Sequence, residues 1–188
     1  VALSKLSNVL KLSGKFDQAL RVMMDAVKLT PDDAELQFRA AAAHRDLGQM
    51  EEAESHLHIA VSINPEYHEA HNNLGMIAAQ KENLEQAEDY FRRAIEIRDE
   101  FAEAHKNLGM VFFQRGELES AAAEFKTAIS HKKNYSEAEQ YLRQVEAAKD
   151  TLIIPLLRAL SALAEEHFTM RSLSSYLIWL VAGYRSAA

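Results

Sequence analysis

The sequence predicts an all-α protein: an α-solenoid of repeated helix pairs that carries an apolar helical extension at its C-terminus. Three observations lead there. Special and small residues recur every 34 positions: Gly14 with Gly48, Gly75 with Gly109, Pro31 with Pro65, and the series Ala19, Ala53, Ala87, Ala121 and Ala26, Ala60, Ala94, Ala128. A fixed period of this size marks a repeat array. Within each period, apolar and small residues follow helical spacing. The 188 residues include only six glycines and three prolines. That is too few for the turns of an all-β chain, but it suits helices with short connections.

The elements follow in order. Four repeats span residues of about 1–33, 34–67, 68–101 and 102–135, with Val1 on repeat position 2. Positions 4, 7, 8 and 11 make one stripe of a first helix, and positions 20, 24 and 27 make the stripe of a second. Small residues at 8, 20 and 27 let helix backbones approach closely, where a larger side chain would overpack the contact. Gly14, Gly48 and Gly116 stand at position 15, just after the first helix, where a left-handed C-terminal cap favours glycine. Pro31 and Pro65 stop the second helix. Each pair exposes an apolar face that only the next pair covers.

These residues resemble the tetratricopeptide repeat (TPR) family. Its pattern has a large residue at 4, Leu at 7, small at 8, large at 11, Ala at 20, aromatic at 24, Ala at 27 and Pro at 32. The third repeat reads His71, Leu74, Gly75, Ala78, Ala87, Phe91, Ala94 and Asp99; the fourth reads His105, Leu108, Gly109, Phe112, Ala121, Phe125, Ala128 and Lys133. The first reads Leu3, Leu6, Ser7, Leu10, Ala19, Met23, Ala26 and Pro31; the second reads Gln37, Ala40, Ala41, His44, Ala53, Leu57, Ala60 and Pro65. The family's usual Trp at position 4 is absent throughout, and the last two repeats lack the closing Pro. The resemblance implies a right-handed solenoid of helix pairs.

Residues 136–149 continue as a capping helix of the first type, with Ala138, Tyr141, Leu142 and Val145 toward repeat four, so the array is expected to span 1–149. The extension, 150–188, leaves the repeat. Asp150 and Thr151 can cap a new helix, with Pro155 in its first turn. Its stripe includes Leu156 and Leu160. A further helix after Ser172 carries Tyr176, Leu177, Trp179 and Leu180. This hairpin is expected to pack on the array or to mediate a homodimer through residues 151–188. Its uninterrupted apolar run, Tyr176–Tyr184, falls well short of the roughly 20 residues that span a bilayer.

The resemblance also implies a concave face lined by positions 2, 5, 9 and 12 of the first helices, flanked by 6 and 13. The expected groove residues are Phe38, Arg39, Ala42, Arg45, Asn73, Met76, Ala79, Gln80, Asn107, Met110, Phe113 and Gln114. Phe38, Ala42, Met76, Ala79, Met110 and Phe113 make an apolar floor that helix packing does not require, and exposed apolar surface of this kind usually has a partner. Asn73 and Asn107 can each donate to and accept from a peptide backbone. Glu35, Glu69, Glu103 and Glu137 form an acidic rim. The expected partner is a protein or peptide: an amphipathic helix or extended segment with apolar anchors and some basic residues. The chaperone-binding members of the family clamp a carboxylate with Lys and Arg. Here Ser4 and Phe38 stand at position 5 and Glu69 and Glu103 at position 2, so that reading fails. Asn73 and Asn107 are similar to two rungs of the asparagine ladder in the O-GlcNAc transferase superhelix, but Lys5 and Arg39 break the series.

Other functions find little support. The chain carries −7, with three arginines against two glutamates in 151–188 leaving −8 on residues 1–150. That argues against nucleic acid and anionic membrane surfaces. There is no cysteine, hence no thiol catalysis or thiolate metal site, although this does not fix the compartment; a soluble, cytoplasmic chain is the expectation. No phosphate loop, nucleophile elbow or HExxH motif occurs. His44, His71 and His105 occupy packing positions, so they are read as core residues and not metal ligands. No cofactor is expected. The leading reading is a non-catalytic adaptor. The alternatives are a homo-oligomerisation module and, since the chain starts at Val1 and reads as processed or a fragment, the recognition arm of a larger enzyme such as a glycosyltransferase.

Overall fold

The computed structural model describes the backbone of residues 2–167 and the side chains of residues 2–151. Among the described residues every regular element is a helix: α1 (Ala2–Leu12), α2 (Phe16–Leu29), α3 (Ala34–Asp46), α4 (Met50–Ile63), α5 (His68–Gln80), α6 (Leu84–Ile97), α7 (Ala102–Gln114), α8 (Leu118–His131) and α9 (Ser136–His167). Each odd-numbered helix from α1 to α7 packs on the helix that follows it, and α3, α5 and α7 also pack on the one before. The described residues up to Leu142 form one compact unit, an all-α helical-repeat solenoid, and the described residues from Arg143 on belong to a second.

The packing inside a repeat is a matter of matched sizes. The eight alanines at positions 20 and 27 are at most 6% exposed. Position 8 is small in inverse proportion to position 24: Ser7 with Met23, Ala41 with Leu57, Gly75 with Phe91, and Gly109 with Phe125. The glycines are where the ring is largest. A Cβ on Gly75 would lie 2.6 Å from Cε1 of Phe91, and one on Gly109 would lie 2.9 Å from the same atom of Phe125. Only a residue without a side chain admits that approach. The serine of the first repeat uses its extra atom, since its hydroxyl donates to the carbonyl of Ala19 at 2.8 Å.

Every first helix ends alike. Gly14, Gly48 and Gly116 have φ of +71°, +74° and +77°, and Glu82 takes the same position in the third repeat at +60°. The following N–H groups, of Lys15, Gln49, Asn83 and Glu117, reach back to the carbonyls of Leu10, His44, Ala78 and Phe112 at 2.9–3.0 Å. This double-bonded cap satisfies carbonyls that the helix end would otherwise leave open.

Two boundaries differ from the sequence reading. No helix starts at Asp150 or Thr151, because α9 runs unbroken from Ser136 to His167. The Thr151 hydroxyl donates backward to the carbonyl of Ala147 at 2.9 Å, a mid-helix use, instead of accepting from a forward N–H as a cap would. The division between units falls within α9, after Leu142, and not at 149. The repeats are already capped there: Ala138 is fully buried, and the Tyr141 ring stacks on Phe125 with centroids 5.5 Å apart. Leu156 and Leu160 belong to the backbone of α9. Tyr176, Leu177, Trp179 and Leu180, and with them the second tail helix, lie outside the described residues.

Candidate functional site

The first helices face one another across three concavities. Between α1 and α3 the lining includes Asn8, Lys11, Arg39, Ala42 and Asp46. Between α3 and α5 it includes Ala42, Arg45, Asn73, Met76 and Gln80. Between α5, α7 and the first turn of α9 lies the largest, about 400 Å³, lined by Met76, Ala79, Gln80, Lys106, Asn107, Met110, Gln114 and Glu137. Ala42 is common to the first two, and Met76 and Gln80 to the last two, so the three concavities join into one groove. The thioether of Met76 stands at the junction, and this residue is 40% exposed. Ten of the twelve groove residues read from the sequence line these three concavities.

Phe38 and Phe113 are half-buried and line none of the three. Phe38 instead lies against Tyr67 with ring centroids 4.9 Å apart, at the edge of the core between α4 and α5. Asn107 is not a free hydrogen-bonding group either. Its side-chain amide donates to Oδ1 of Asn72 at 2.9 Å, and both residues are buried. Asn72 stands at position 5 and was not singled out in the sequence. Its own amide points at the sulfur of Met76, 3.8 Å away, so the pair links α7 to the floor of the groove.

The acidic rim is largely neutralised from within. Glu35 pairs with Arg39 at 2.5 Å and accepts from the Tyr67 hydroxyl. Glu103 meets Lys132 at 2.7 Å and Glu137 meets Lys106 at 3.1 Å; Glu69 meets His68 at 3.1 Å, but burial lowers the His68 pKa, so this contact leaves the Glu69 charge in place. Burial raises the Glu103 pKa, but the Lys132 ammonium outweighs it and holds the carboxyl below the usual carboxylate range. Burial and then Glu103 and Glu137 push the Tyr135 phenol up to about 12, and the Lys132 ammonium lies 4.3 Å from its ring centre. What remains for a partner is an apolar floor with neutral amides, Asn73, Gln80 and Gln114, and the one guanidinium of Arg45 between α3 and α5.

The sequence profile of the tetratricopeptide repeat family matches residues 32–100 and again 66–134. The chain belongs to that family. Solved structures agree on the fold. A MamA crystal structure is 25% identical over 76% of this chain and 84% of its own, with a TM-score of 0.69. MamA residues 41 to the end from Desulfovibrio magneticus RS-1 superpose with a TM-score of 0.71 at 16% identity, covering 89% of this chain and 96% of that one. YrrB, described as a TPR protein with an unusual peptide-binding site, has a TM-score of 0.64 at 21% identity, covering 80% of this chain and 77% of its own. No curated protein sequence matches this chain significantly.

In this TPR array the polar residue at position 4 does more than fill space. The Gln37 amide donates to the carbonyl of Pro31 at 2.8 Å, and Nε2 of His71 and of His105 meet the carbonyls of Pro65 and Asp99 at 3.0 and 2.9 Å. Each is the position-32 carbonyl of the preceding repeat, so the side chain ties the repeats together. The second contact of each side chain differs. Gln37 Oε1 receives Nδ1–H of His56 at 2.7 Å, and His56 stacks on His44 at 5.1 Å. Burial, then His44, lowers the His56 pKa. His105 Nδ1 meets Glu124 at 2.7 Å. His71 Nδ1 is buried without a partner, since Tyr90 replaces the polar residue there. Among the described residues no group of three or more His, Asp or Glu could hold a metal ion, and no helix is long and apolar enough to cross a membrane.

Proposed function

We propose that this TPR chain is a non-catalytic interaction scaffold whose groove takes an amphipathic helix or extended peptide across α3, α5 and α7. The observation that carries this is the continuity of the concavities through Met76, with the 400 Å³ space beside Met110. A floor of thioethers adapts to varied apolar anchors, while Asn73, Gln80 and Gln114 can pair with a peptide backbone. Because three of the four rim glutamates, Glu35, Glu103 and Glu137, are already paired with Arg or Lys, the partner is selected by apolar anchors more than by basic residues. Its binding is therefore expected to change little with salt, unlike recognition by exposed charges.

The test selects peptides from a random display library against the full chain and measures their affinity by fluorescence anisotropy. Met76→Asp with Met110→Asp is expected to weaken a selected peptide at least about tenfold, equivalent to roughly 1.4 kcal/mol, with the melting temperature nearly unchanged. Unchanged affinity would remove the groove as the binding site.

A further inference from the structure

Four cations line the three concavities: Lys11 and Arg39 between α1 and α3, Arg45 between α3 and α5, and Lys106 between α5 and α7. Three of them are paired within the chain. Lys11 meets Asp46 at 2.6 Å, Arg39 meets Glu35 at 2.5 Å, and Lys106 meets Glu137 at 3.1 Å. Arg45 is the exception. Its neighbour Asp46 is taken by Lys11, and Glu54 of α4 is taken by Lys81 at 2.5 Å. Among the described residues Arg45 forms no ion pair and no side-chain hydrogen bond. The helix dipole favours a cation in the last turn of α3, but that does not require the side chain to line a concavity with Asn73, Met76 and Gln80.

In water the exposed guanidinium needs no partner. A peptide that covers the concavity removes that water, and one without an acceptor there leaves a desolvated charge unpaired. A carboxylate supplies the matching bidentate acceptor, and the amides of Asn73 and Gln80 can donate to it as well. Glu69, which keeps its charge, does not compete. It stands at the start of α5, about 16 Å along the helix from Gln80, beyond the screening length of about 8 Å. The Arg45 concavity is also the middle one of the three, joined to its neighbours through Ala42 on one side and Met76 and Gln80 on the other. A chain in the groove therefore continues past Arg45 in both directions, so the acceptor is a side chain and not a chain terminus.

Resting on the groove reading above, we propose that Arg45 is the specificity-determining residue of the groove: it selects partners that place an internal Asp or Glu side chain beside their apolar anchor. A partner with Lys or Arg at that place is rejected by like charge. A single exposed pair of this kind leaves the salt dependence of the whole complex small.

The probe is a random twelve-residue peptide library, displayed and selected in parallel on the full chain and on its Arg45→Glu variant. The parent pool should be enriched in Asp or Glu beside an apolar residue. The Arg45→Glu pool should keep the apolar residue and exchange the acid for Lys or Arg. The strongest parent peptide is then synthesised with a free and with an amidated C-terminus and titrated by anisotropy. Arg45→Gln should weaken it about threefold and Arg45→Glu about tenfold, the range of an exposed ion pair and its reversal. Lys in place of the peptide's acidic residue should restore binding to Arg45→Glu, and both C-terminal forms should bind alike. Arg45 is exposed, so the melting temperature of its variants should match the parent. Pools of the same charge from both selections, with affinity lost in the Met76→Asp, Met110→Asp variant, would overturn the role of Arg45 and leave the groove standing. Affinity lost on amidation would assign Arg45 to a chain terminus and equally overturn it. Peptides that bind the Met76/Met110 variant as tightly as the parent would remove the groove reading and this proposal with it.

Discussion

The imidazole of His105 reaches the carboxylate of Glu124 at 2.7 Å through Nδ1, joining the first helix of the fourth repeat to its second. On its other side Nε2 meets the Asp99 carbonyl at 2.9 Å. Both partners are acceptors, so the geometry asks both ring nitrogens to carry a proton. Burial works against that charge as the largest influence, but the hydrogen bonds and charge of Glu124 and the Asp99 carbonyl together outweigh it and raise the His105 pKa above 6.5.

The sign of the pH dependence follows. A histidine whose pKa is raised on folding adds stability that is fully present below its unfolded pKa and is lost as pH rises through the folded value. Glu124→Gln should therefore destabilise the chain most near the acid end, and its deficit against the parent should shrink between about pH 5.5 and pH 8.5. His56, whose pKa is lowered by burial and by His44, acts in the opposite sense, with stability falling on acidification below 6.5. The double comparison of Glu124→Gln and His56→Gln by thermal melting across that range separates the two.

Gly75→Ala should destabilise despite the better helix propensity of alanine. Propensity favours Ala by roughly 0.5–1 kcal/mol, while overpacking a filled contact costs about 1–3 kcal/mol. The new Cβ would sit 2.6 Å from the Phe91 ring, so the second effect should win by about 1 kcal/mol. Chemical denaturation checks this, and Phe91→Leu in the same chain should relieve part of the cost.

Glu82→Gly should act the other way. Glu82 holds φ at +60° where three of the four repeats have glycine. Removing the Cβ strain gains about 1–2 kcal/mol, offset by the greater freedom of unfolded glycine, for a net increase of about 0.5–1 kcal/mol. The denaturation midpoint should rise with an unchanged slope.

The 34-residue period made most of the fold legible, because each Gly, Ala and aromatic at a fixed position answers one packing or capping demand. The pattern gives a small residue at position 8, but that the Phe91 ring is what lies against Gly75 is seen only in the structure. The ties at position 4 are likewise absent from the pattern. Gln37, His71 and His105 were assigned to packing, but their partner is a carbonyl six residues back across the repeat junction, and sequence spacing carries no sign of it. The groove was placed by helical spacing, but its electrostatics were not. Lys132, just after α8, and Lys106, in α7, lie on other elements than Glu103 of α7 and Glu137 of α9, which they neutralise. Asn72 was passed over for Asn73 because only the structure shows which amide reaches across from α5 to α7. The break read at Thr151 failed because a threonine can turn its hydroxyl back into a helix as well as cap one.

The groove is tested most directly by methyl NMR of the full chain labelled at its six methionines, before and after saturation with a library-selected peptide. The methyl signals of Met76 and Met110 are expected to shift, while that of Met23, 3% exposed within the core of the first repeat, stays in place. Saturable binding that leaves Met76 and Met110 unmoved would contradict it.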